Sequence, residues 1–135
     1  EDQDVSDEGQ QGQEATIQGI EQLAIEGLKK QINHKNPYEF QELVAALLRG
    51  MDYYTPFVAP KGKDGGIDVI AYRDPLGTIT PRIKVQIKHR EASASVQEIR
   101  QLMGLLQKDG DVGMFVSSGG FTPDAKLLHV ALMFT

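Results

Sequence analysis

The chain has 135 residues, 40% of them hydrophobic and none a cysteine. That suits one domain with enough apolar content for a core, and it excludes disulfides, thiolate metal sites and cysteine nucleophiles. The start shows no basic-plus-apolar leader, and no apolar run approaches the roughly 18 residues that would span a membrane. The absence of cysteine fits a reducing, cytoplasmic compartment. The formal charge of −5 argues against a nucleic-acid partner only until it is located. Six of the nineteen acids (Glu1, Asp2, Asp4, Asp7, Glu8 and Glu14) precede residue 15, where there is no Lys or Arg. Thirteen acids then face fourteen bases, so the rest of the chain is nearly neutral and global charge decides nothing about partners.

Residues 1–15 are polar, acidic and rich in Gly and Gln, and they are predicted to be a disordered linker from a segment upstream. Residues 16–35 are predicted to be a connecting helix, because Ile17, Ile20, Leu23, Ala24 and Leu28 fall at helical spacing. A domain over 36–135 follows. Its first helix starts at "NPYE", with Asn36 as N-cap, Pro37 at the first position and Glu39 placed to close a capping box. The periodicity predicts a buried face of Phe40, Leu43, Val44 and Leu47, flanked by Gln41, with Glu42 pointing nearly opposite.

Three strands come next. "YYTPFV" is broken by Pro56 and predicted to be a bent or edge strand. "GIDVIAY" and "RIKVQIKHR" are joined across "DPLG" as a hairpin. In the latter strand Lys84, Gln86 and Lys88 share one face, opposite Ile83, Val85 and Ile87. A helix over "SVQEIRQLMGLLQ", a buried strand "VGMFVSS" and a helix from Thr122 complete the order α-α-β-β-β-α-β-α. The expected fold class is α/β, a mixed sheet flanked by helices. Met103 and Met114 are expected in the core.

The chemistry gathers at the hairpin. Asp68, after the glycine loop, can meet Gln86 and Lys88 of the adjoining strand on one side of the sheet. A carboxylate and an amide oxygen suit Mg²⁺, which prefers oxygen ligands, and a lysine suits the charge developing on a phosphate. Gln86 and Lys88 alone would read as a solvated strand face, as Lys84 does; the pairing with Asp68 reverses that judgement.

At these residues the chain resembles the catalytic domain of the Mrr-type restriction endonucleases, within the PD-(D/E)XK nuclease superfamily. The resemblance rests on "PYEFQELVAALLRGM", "DGGIDVIAY", "IKVQIKHR" and "VGMFVSSGGFTPDA", in family order over about residues 36–126. It implies a restriction-endonuclease-like core and a Mg²⁺-dependent DNA endonuclease, with Mn²⁺ able to substitute, in a bacterial restriction system. It implies catalytic roles for Asp68, Gln86 and Lys88, and a metal held by Asp68, Gln86 and the backbone of Ile87. The family often adds a helix acid after the Phe of an "FE" pair; here that position is Gln41, which leaves the site one carboxylate short. A flanking position would tolerate glutamate at 41 and turn it toward the site. A second departure is "MDY", with Asp52, where "MGY" is common. The chain also ends early for such a domain.

Further expectations concern partners. Double-stranded DNA would meet Lys61, Lys63, Ser117 and Ser118, the serines through backbone N–H groups, although surface solubility and a plain strand-to-helix turn explain the same residues. Asp64 reads as a turn residue. His34, His89 and His129 share no metal-ligand spacing, and His89 reads as a strand-end surface residue. Cutting both strands would need two sites, hence a possible homodimer. The rival readings are a nuclease-like domain that binds DNA without cutting it and a protein-interaction domain with a decayed site.

Overall fold

The computed structural model describes the backbone of residues 4–62 and 66–133 and the side chains of 16–62 and 66–128. Lys63, Asp64 and the His129 side chain lie outside the described residues. The chain divides into two compact units, Glu1–His34 and Lys35–Thr135. Among the described residues no helix is long and apolar enough to cross a membrane.

The first unit is one helix, α1 (Asp4–His34). It begins inside the stretch expected to be a disordered linker. That stretch has no proline, and its Glu and Gln residues lose little side-chain freedom in a helix. Ile17, Ile20, Leu23 and Leu28, the periodic residues of the sequence, are all exposed.

The second unit opens with α2 (Pro37–Gly50). Asn36 caps it as expected: its side-chain oxygen accepts from the Glu39 N–H at 2.8 Å, and its amide donates to the Glu39 carboxylate at 3.0 Å. The buried face comprises Phe40, Gln41, Val44, Ala45 and Leu48, whereas Leu47 is 60% exposed. The predicted stripe was therefore about one residue out of phase. Bulk misleads here, because fully buried Ala45 lets the helix approach the sheet closely while Leu47 points away. The helix ends where Tyr53 N–H reaches Leu48 O and Asp52 N–H reaches Arg49 O, both at 3.0 Å. This paired bonding is the Schellman arrangement, with Asp52 at φ 68°.

Then follow β1 (Tyr54–Val58), β2 (Val69–Tyr72), β3 (Arg82–Lys88), α3 (Val96–Gly104), β4 (Asp111–Ser117) and α4 (Pro123–Met133), in the predicted element order. The sheet order is β1-β2-β3-β4. The first three strands are antiparallel neighbours, and β4 runs parallel to β3 with α3 as the crossover. The register of β1 shifts between Tyr54 and Phe57, around Pro56. Val69 pairs with Val85, both wholly buried, and α2 packs against β1 and β2. α3 lies over the opposite face, where a Cβ on Gly113 would touch Leu102.

Two expectations fail at β4. It ends the sheet and is not fully buried: Val112 is 46% exposed, and Met103, facing the same open side, is 37% exposed. Lys84 is not simply solvated either. Its ammonium donates to Leu105 O at 3.0 Å and lies 3.5 Å from Asp111, whose other oxygen accepts from Arg82 Nε at 2.9 Å. These bonds fasten the entrance of β3 to that of β4.

Candidate active site

Asp68 sits where β2 begins, and its backbone is held from both sides. Its N–H donates to Val85 O and its carbonyl accepts from Ala59 N–H, each at 2.8 Å. Val85 thus bonds to Asp68 while pairing with Val69, and Asp68 and Gln86 both line one cleft. The Asp68 carboxylate accepts from the Ile87 N–H at 2.7 Å. Because β2 does not pair beyond this point, the Ile87 carbonyl, on the same edge of β3 as its N–H, also faces the cleft.

Gln86 is 8% exposed, and its side-chain oxygen is buried without a hydrogen-bond partner among the described residues. A buried, unsatisfied amide oxygen costs about 1–3 kcal/mol, so its persistence calls for a ligand. Lys88, two residues on, projects from the same face. Asp68, Gln86, Ile87 and Lys88 line one open cleft of about 630 Å³, closed on one side by Asn36 and Tyr38 at the start of α2. The acid, the amide and the lysine that the sequence suggested together line the same cleft.

A family model described as restriction endonuclease, for the Mrr-type catalytic domain, matches residues 32–131. The chain belongs to the Mrr-type restriction endonuclease family. Among solved structures, the MspJI restriction endonuclease in complex with a 27-mer oligonucleotide is similar, with a TM-score of 0.55 at 19% identity. The match covers 82% of this chain and 27% of that one, so the chain spans about a quarter of the MspJI length, and the likeness concerns the fold. No curated protein matches the chain significantly.

Within this Mrr-type domain Gln41 lines the same cleft as Asp68, Gln86 and Lys88. Gln41 does not flank the core; it is 8% exposed, and its amide donates to Ala59 O at 2.6 Å. It thereby ties α2 to the residue that also holds Asp68. Among the described residues no three His, Cys, Asp or Glu side chains converge. Among the described residues the candidate donor set at the cleft is one carboxylate, one orphaned amide oxygen and one backbone carbonyl. Hard oxygen donors with a single negative charge fit a Mg²⁺-type cation held weakly.

The remaining predicted residues divide. Lys61 lines the cleft and is exposed. Ser118 is committed inside the fold: its N–H donates to Lys88 O at 3.1 Å, and its hydroxyl bonds to His89 and Arg90. The Ser118 amide, so bonded, does not point outward to a DNA backbone. The Ser117 hydroxyl is buried without a partner among the described residues. His89, expected at the surface, is half-buried, lines the cleft and is bonded at both ring nitrogens. Its position directly after the lysine was the one available signal. Tyr38, 42% exposed at the cleft mouth, had no distinguishing pattern in sequence.

Proposed function

We propose that this domain is a metal-dependent endonuclease that hydrolyses DNA phosphodiester bonds. The observation that supports the reading is that Asp68, Gln86 and Lys88 line one cleft, with the Gln86 oxygen buried and unsatisfied among the described residues. Asp68, Gln86 and the Ile87 carbonyl would hold the cation. When bound, a divalent cation neutralises phosphoryl charge and acidifies the attacking water.

The chain's own residues set the geometry. The Ile87 N–H fixes the Asp68 carboxylate, and the double backbone clamp on Asp68 leaves it little freedom to move. Lys88 reaches into the same cleft with three N–H donors, suited to orient water and to meet the oxygens of the phosphate under attack. Lys61 at the rim adds positive charge for the DNA backbone. Cutting both strands would take two such domains, so a homodimer on DNA belongs to this reading.

One observation favours a second reading, DNA binding without cleavage. The position where a helix acid would add a ligand is held by Gln41, whose amide is already committed to Ala59. Nicking of supercoiled plasmid by Asp68→Asn, Gln86→Ala and Lys88→Ala, each checked for folding and DNA binding, separates the two. The nuclease reading expects loss of nicking with binding retained. Wild-type-like nicking by Asp68→Asn would remove the assignment.

A further inference from the structure

We infer that His89 is a positioning residue for Lys88, and the inference rests on the nuclease reading above. Three contacts from three parts of the second unit converge on its ring. Nε2 lies 2.5 Å from Lys35 O, ahead of α2. Nδ1 lies 2.9 Å from the Ser118 hydroxyl, just after β4. The ring stacks on buried Phe40, with centroids 4.3 Å apart and planes within 6°.

A carbonyl only accepts, so Nε2 carries a proton toward Lys35 O, while Nδ1 meets the Ser118 hydroxyl, which also lies 3.3 Å from Arg90 O. Ser118 is in turn bonded to both sides of the pair: its N–H donates to Lys88 O, and its hydroxyl accepts from the Arg90 N–H at 3.0 Å. The peptide units on either side of His89 are thus bound to one serine, and the imidazole ties that serine to the segment before α2. Lys88 is the last residue of β3, where its pairing with Ser117 is the final rung of the β3–β4 ladder. Beyond that rung the ring and Ser118 hold the chain, and so help set where the Lys88 side chain leaves the strand.

His89→Phe keeps the stack on Phe40 and the ring volume but removes both hydrogen bonds. His89→Gln retains an amide donor for Lys35 O. The experiment measures plasmid-nicking kinetics at saturating Mn²⁺ for both variants and for the double variant with Lys88→Ala. Misplacing a reacting group by about 1 Å costs up to ~100-fold. The expected result is a fall of that order in kcat for His89→Phe with KM for DNA unchanged, partial recovery in His89→Gln, and no further loss in the Lys88→Ala background. Equal loss with and without Lys88, or a change confined to KM, would overturn the inference.

Amide hydrogen exchange at Ser118, in the full chain without DNA, reads the positioning without activity. His89→Phe should lower its protection at least tenfold, and unchanged protection would overturn the positioning itself. Wild-type protein that never nicks would defeat the nuclease reading, and with it the catalytic meaning of His89, whatever the exchange result.

Discussion

Gln41 shows how one side chain limits what can be done to the site. Its amide donates at 2.6 Å to Ala59 O from a buried position. Glutamate there would set a carboxylate against that carbonyl, and no donor would remain for it. Gln41→Glu should therefore destabilise the domain by about 1–3 kcal/mol, read as a lower denaturation midpoint, and should not strengthen Mn²⁺ binding at neutral pH. Asp111 offers a second test. Burial raises its pKa, but the Arg82 hydrogen bond, the Lys108 N–H and Lys84 outweigh that, so its carboxyl lies below the usual range. With the folded pKa depressed, its stabilisation is complete above the unfolded value near 4 and is lost as pH falls through the folded one. Asp111→Asn should cost about 2–3 kcal/mol at pH 7, less than a fully buried pair because Arg82 is partly exposed. That difference should shrink below about pH 4, which urea melts of both proteins across pH would show.

At the scale of elements, what was legible followed from local rules. The cap at Asn36, the break at Pro56, the hairpin and the β3 alternation are short-range signals, and each appears where the sequence placed it. The phase of α2 was not legible, because "LVAALL" is apolar around more than one face and only the sheet selects Ala45 and Leu48. His89 was missed for a related reason: its partners Lys35 and Ser118 are distant in sequence. The "MDY" departure gains a meaning at the end of α2. Asp52 takes the left-handed conformation that glycine adopts without strain, so Asp52→Gly should stabilise by about 0.5–1 kcal/mol, seen as a higher melting temperature. Gly119 belongs to the opposite case. A Cβ there would collide with the carbonyl oxygens of Arg90, Glu91 and Ala92, where the loop after β4 crosses the segment before α3. Gly119→Ala should cost about 2 kcal/mol or more, and because the same loop carries Ser118, it should also slow nicking.

For the whole molecule, charge and chemistry separate by unit. The acids that give the chain its negative charge are concentrated in residues 1–14, at the start of the Glu1–His34 unit, while the candidate site lies wholly in Lys35–Thr135. Deleting residues 1–14 should leave the melting temperature unchanged and tighten DNA binding at low salt, because like charge is removed; a melting shift of several degrees would show that the segment stabilises the fold. Among the described residues the cleft has one carboxylate, so on the nuclease reading a cation should bind weakly until a phosphate completes the ligand set. The central claim, a cation-dependent nuclease site built on Asp68, Gln86 and Lys88, is tested most directly by incubating wild-type protein with supercoiled plasmid in Mg²⁺, Mn²⁺ or EDTA. The account predicts open-circular product with either cation and none in EDTA; DNA bound but intact under all three conditions, or nicked equally in EDTA, would contradict it.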